Sequence, residues 1–110
     1  MSDENITAYA ASVALGIDGV HELTGSLTDS ISKNILGKES SGKGIRLTRS
    51  DEGLILDVYV IVEYKVKIPQ LAWEILGTVK GEVEAMTGLP VLEVNIHVQG
   101  VNVPGEEDVR

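Results

Sequence analysis

Between residues 54 and 66 the chain alternates so regularly that a long, half-buried β-strand is the structure it favours. Leu54, Leu56, Val58, Val60, Val62, Tyr64 and Val66 recur at every second position, and a period of two places them on one face of a strand. Between them stand Ile55, Asp57, Tyr59, Ile61, Glu63 and Lys65. The first face belongs to a core. The second is mixed, and Tyr59 and Ile61 on it are not side chains that water favours.

The flanking sequence supplies the other layers. Ile45 and Leu47 alternate with Arg46 and Thr48, and Ser50-Asp51-Glu52-Gly53 reads as a hairpin connection with a glycine at its end. A first helix is expected over residues 4–15. Ser2 or Asp3 can cap it, Ile6, Ala10, Val13 and Ile17 recur at helical spacing, and Gly16 can end it in a left-handed conformation. A second helix starts at Pro69, whose missing N–H costs nothing in a first turn. Its apolar stripe is Ala72, Ile75, Leu76, Val79, Val83 and Met86, and Gly88 and Pro90 stop it. A last strand turns Leu92, Val94, Ile96 and Val98 inward, and Gly100 breaks the alternation as a bulge or bend does. Residues 24–44 are rich in Gly and Ser and read as a mobile loop, with Leu27, Ile31 and Ile35 spaced for a short helix inside it. Residues 104–110 read as a frayed tail. The expectation is one α+β domain over residues 1–110, of order α-β-β-α-β, with helices on one face of a three-stranded sheet.

Composition narrows the function. The net charge is −8 with nine Lys and Arg, so the field repels a polyanion, and nucleic acid and anionic membrane surfaces are disfavoured as direct partners. An RNA-binding module is therefore the weaker of the alternatives considered. There is no cysteine, which excludes disulfides, thiolate metal sites and a thiol nucleophile. The acidic start resembles no signal peptide, and no apolar run approaches the roughly 20 residues needed to cross a bilayer. A cytoplasmic location is expected, with any membrane association made through a partner.

A search for chemistry finds little. No nucleophile elbow, Walker loop or HExxH motif is present. His97 and Glu93 share a strand face two pleats apart and form the candidate pair for a small metal-binding or enzymatic module, but a metal normally takes three or four ligands. No cofactor is expected. Contact surface is easier to find. Trp73, Gly77, Lys80, Gly81 and Glu84 lie opposite the apolar stripe of the second helix. A glycine inside a helix costs about 1 kcal/mol relative to alanine, so Gly77 and Gly81, one turn apart beside an aromatic, suggest a bare strip that receives another segment. Tyr59 and Ile61 on the outer sheet face are the second candidate contact surface, and self-association through that face or a sheet edge is expected.

Several stretches together resemble a known family. Ile17-Asp18-Gly19-Val20 after an Ala-rich helix, Lys43-Gly44-Ile45, Leu56-Asp57-Val58-Tyr59-Val60-Ile61-Val62-Glu63-Tyr64, Ile68-Pro69, and Met86-Thr87-Gly88-Leu89 leading to Val94-Asn95-Ile96-His97-Val98 resemble the alkaline-shock-protein family of Gram-positive bacteria, described as general stress proteins of the cell envelope. The resemblance spans residues 6–103. It implies a non-enzymatic scaffold or interaction protein that self-associates, is held near the membrane by a small anchoring partner, and serves envelope homeostasis under stress. It carries no catalytic residue onto this chain. Family members tend to have charged residues where Gly77 and Gly81 stand here.

Overall fold

A computed structural model describes residues 2–25, 39–42 and 44–104. The elements are α1 (Asp3–Leu15), β1 (Val20–Leu23), β2 (Glu39–Gly42), β3 (Ile45–Ser50), β4 (Gly53–Glu63), α2 (Ile68–Thr87) and β5 (Val91–Asn102). The α+β class holds, but the sheet has five strands among the described residues where three were expected. The additional strands are β1 and β2, four residues each. The short helix expected around Leu27 to Ile35 and most of the frayed tail lie outside the described residues.

The long alternating segment is the middle of the sheet. β3 pairs antiparallel with the first half of β4, from Ser50 opposite Gly53 to Ile45 opposite Val58. β1 pairs antiparallel with the second half, Val20 opposite Val62 and Leu23 opposite Val60. The two strands therefore share one edge of β4 end to end. β5 runs parallel along the whole of the opposite edge, as a crossover through α2 requires. β2 extends the sheet beyond β3.

The core forms on the helix side of β4, where Leu54, Leu56, Val58, Val60 and Val62 are each at most 1% exposed. Fully burying such a side chain contributes about 1.5–3 kcal/mol. α1 covers this row with Ile6, Ala10 and Ala14, and α2 with Leu71, Ile75, Val79 and Val83. Ser2 caps α1, its Oγ accepting from the Asn5 N–H at 3.2 Å. Arg49 Nε donates to Asp3 Oδ1 at 2.7 Å and fastens the start of α1 to β3. Tyr9 Oη donates to Glu82 Oε1 at 2.7 Å and links α1 to α2. Pro69 stands in the first turn of α2, and Gly88 ends it left-handed at φ 73°, its N–H donating to the Glu84 carbonyl.

Two local expectations change. Gly16 is right-handed, at φ −81°. The chain instead reverses at Gly19, at φ 103°, where a Cβ would press on Val66 and Leu71. Leu92 is 43% exposed, and Val91 takes the buried place. The cause is a bulge, since Leu54 faces Val91 but Ile55 faces Glu93, which lifts Leu92 out of register. A second irregularity follows, with Val60 opposite Val98 and Ile61 opposite Gly100. It is the break in alternation expected near Gly100. Val98 is 37% exposed because β5 lies at the sheet margin.

The junction of β1 and β3 depends on one glycine. The Thr24 N–H donates to the Tyr59 carbonyl at 3.0 Å, and the Tyr59 N–H donates to the Gly44 carbonyl at 2.9 Å. Gly44 has φ +79°, and a Cβ there would stand 2.5 Å from the Cβ of Leu23. Left-handed backbone costs a non-glycine residue about 1–3 kcal/mol, and the clash adds to it. Gly44→Ala is therefore expected to lose at least about 2 kcal/mol in urea unfolding; a loss below about 0.5 kcal/mol, the scale of a neutral surface change, would show that the two strands can separate at no cost.

Candidate groove between helix α2 and strand β5

Because β5 lies at the margin, the outer flank of α2 overhangs it. Pro69, Ala72, Trp73 and Leu76 on α2 face residues 94–97 of β5 across an open groove of about 610 Å³, which Asp57 of β4 also lines. Trp73 stands on its rim, 73% exposed. It is the most exposed of the large hydrophobic side chains among the described residues, and Trp is a residue enriched where interfaces concentrate their binding energy. The sequence indicated Trp73. It did not indicate the groove, which needs β5 to lie parallel beside β4 and under α2.

The flank continues as a bare strip. A Cβ built at Gly77 or at Gly81 meets nothing within 4 Å, so packing among the described residues does not require either glycine. Below the strip, α2 is clipped to the start of β5. Lys80 Nζ donates to the Val91 carbonyl at 2.9 Å, and the Val91 N–H donates to Glu84 Oε2 at 2.8 Å. Lys80 and Glu84 also pair with each other at 3.4 Å. Two charged side chains thereby satisfy both backbone groups of one strand residue. The Val91 N–H is the main reason the Glu84 carboxyl is held below its ordinary value, with Lys80 adding to it.

The face of the sheet away from the helices carries a polar row, which the groove reaches at Asp57 and His97 around the margin of β5. His97 Nε2 lies 2.9 Å from Asp57 Oδ1, and its ring stacks on Tyr59 at 4.5 Å between centroids. The Arg46 guanidinium lies 5.7 Å over the same Tyr59 ring. Further along β4, Glu63 accepts from Asn102 Nδ2 at 3.2 Å and lies 3.1 Å from His21 Nδ1. The Asn102 and His21 hydrogen bonds, in that order, hold the Glu63 carboxyl below its ordinary value.

These contacts sort the residues singled out from sequence. Trp73, Gly77 and Gly81 share one exposed flank. Tyr59 is 8% exposed and belongs to the buried set, and Ile61 is half-buried, so neither forms an open patch. The carboxylate partner of His97 is Asp57, whereas Glu93 meets Asn95 at 3.4 Å. Among the described residues no group of three or more His, Cys, Asp and Glu side chains is placed to hold a metal ion.

The strip and the clip each predict a change in stability. Gly77→Ala and Gly81→Ala should each stabilise the fold by about 0.8–1 kcal/mol in urea unfolding, since the added methyl meets no neighbour. Destabilisation by either would mean that the flank is already filled. Glu63 and Glu84 titrate below the ordinary 4.5 in the folded chain. A depressed carboxylate stabilises above its unfolded value, and that share is lost as pH falls through the folded value. Stability should therefore decline as pH drops below 4.5, and Glu84→Gln should flatten the decline. An unchanged acid slope in Glu84→Gln would remove the clip as its source.

Comparison with known proteins places this geometry in a lineage. The chain is 32% identical over 101 residues to YqhY of Bacillus subtilis (strain 168), covering 92% of this chain and 74% of that one. It is 33% identical over 105 residues to YloU of the same strain, covering 94% and 87%. It is 26% identical over 97 residues to a stress response regulator gls24 homolog of Streptococcus pyogenes serotype M3 (strain MGAS315), covering 87% of this chain and 54% of that longer protein. No solved structure matches it significantly. The family model that matches runs over residues 1–103, through both helices, the sheet and the groove between α2 and β5, and on that match the chain belongs to the alkaline-shock-protein family, a family of cell envelope-related function.

Proposed function

We propose that this chain is a non-enzymatic interaction protein of the envelope stress response, which self-associates and is held at the membrane by a small anchoring partner. The observation that carries the reading is Trp73, an exposed aromatic on the rim of an open groove beside two helix glycines that no packing among the described residues requires. Aromatic anchors beside shallow depressions are where binding energy concentrates in protein interfaces. Most of the groove lining is apolar, with Pro69, Ala72, Trp73, Leu76, Val94 and Ile96 among its nine residues, which suits contact with another chain. A partner for membrane attachment fits a chain in which no helix of the described residues is long and apolar enough to cross a bilayer. A net charge of −8 also opposes direct adhesion to anionic lipid. The cytoplasmic side of the membrane is the proposed location.

Light scattering after size exclusion, over a wide concentration range, tests self-association. A mass that rises with concentration, or a fixed multiple of the monomer, is the expected result; a monomer throughout would overturn it. Trp73→Ala should weaken assembly at least about tenfold, the scale of a hot-spot truncation. Its thermal midpoint should stay within about 2 °C of the parent, because an exposed side chain contributes little to folding.

A further inference from the structure

We propose that the outer edge of β5 is the seam of self-association, where a second copy of this chain adds its own β5 antiparallel across a two-fold axis near Ile96. The inference rests on the self-association reading above and names its surface. Among the described residues β5 pairs only with β4. The even-numbered residues of β4 serve β5, because odd-numbered Tyr59 and Glu63 bond to the opposite side, at Gly44 and Gly19. In that parallel ladder Val94, Ile96 and Val98 turn their N–H and C=O groups outward, a row of backbone donors and acceptors with no partner strand among the described residues.

Two of the usual protections of a free edge are missing. Natural edge strands carry Lys or Pro to repel another strand, and β5 carries neither. Its bulges fall at Leu92 and Gln99, so the stretch between them is regular. Charge selects a second copy as the occupant. In a chain of net charge −8, most surfaces of two copies repel, yet Glu93 is the single charged residue of β5. A two-fold through Ile96 sets Glu93 opposite the Gln99 of the second copy, and Asn95 opposite its His97. The two Glu93 carboxylates then stand roughly 20 Å apart at about 3.3 Å per residue.

Area points the same way. A twelve-residue strand is roughly 40 Å long. A band about 10 Å deep along it gives roughly 400 Å², half of the ~800 Å² per partner that a stable dimer needs. The overhanging flank of α2, with Trp73 at the rim and the bare glycine strip, supplies the remainder. An incoming strand would bond to β5 and pack beneath Trp73.

Two variants test the seam in the full chain. Val98→Pro removes one outward N–H without touching the β4 ladder, and should turn the parent oligomer into a folded monomer by light scattering and circular dichroism. Ile96→Cys, the sole thiol in a chain without cysteine, sits on the axis and should cross-link to itself with a short bis-maleimide. Leu15→Cys on exposed α1 should not. If the parent self-associates while a folded Val98→Pro keeps its mass, or while Ile96→Cys fails to cross-link, the seam is wrong and self-association stands. A parent that stays monomeric removes both. If Val98→Pro does not fold, the cross-link decides.

Discussion

The inward row of β4 must be covered along its whole length, and the rest of the architecture answers to that requirement. Leu54, Leu56, Val58, Val60 and Val62 are essentially sealed from water, and each lies over a different part of the helical layer. α1 is thin enough at Ala10 and Ala14 to approach the sheet closely. α2 is long enough to lay Leu71, Ile75, Val79 and Val83 across the rest. The edges of β4 impose a second condition. Its backbone groups must be paired, and no single short strand reaches the full length of one edge. β1 and β3 divide that edge between them and meet at Tyr59. Gly44 has no side chain because that meeting leaves no room for one.

The outer face is tied together by side chains from distant parts of the sequence. The β4 carboxylates Asp57 and Glu63 each meet a histidine from a different strand, His97 on β5 and His21 on β1. Partly exposed pairs of this kind contribute little energy individually. Their effect is on alignment, since they fasten β5 and β1 to β4 at fixed register. The stacking of His97 on Tyr59 adds to it. It also turns an aromatic that alternation assigns to the surface into a buried part of the sheet.

How much of this is readable in advance depends on whether the cause is local. β4 and α2 are legible because their periods are long and their ends are marked, by Pro69 and by Gly88. β1 and β2 are not. Val20-His21-Glu22-Leu23 shows no sustained alternation, and Glu39-Ser40-Ser41-Gly42 has weak strand preference; pairing with β4 and β3 makes them strands. Leu92 misleads because a bulge is set by register with a distant strand, not by the residues beside it. Trp73 and its two glycines can be picked out, since a mid-helix glycine is a local anomaly. The Asp57 partner of His97 cannot, because it depends on β5 lying beside β4.

The grip of Lys80 and Glu84 on Val91 has a consequence for anything that enters the groove. Both walls, α2 and β5, are locked to each other at the end where the chain passes from one to the other. They cannot splay apart by a hinge at residues 88–90 without breaking two charge-assisted hydrogen bonds. The ordering entropy of the cleft is thus spent when the chain folds rather than when a guest arrives, so the walls are preorganised. Discrimination among guests then rests on shape matched to a fixed template, and a poor match gains nothing from adjustment of the host.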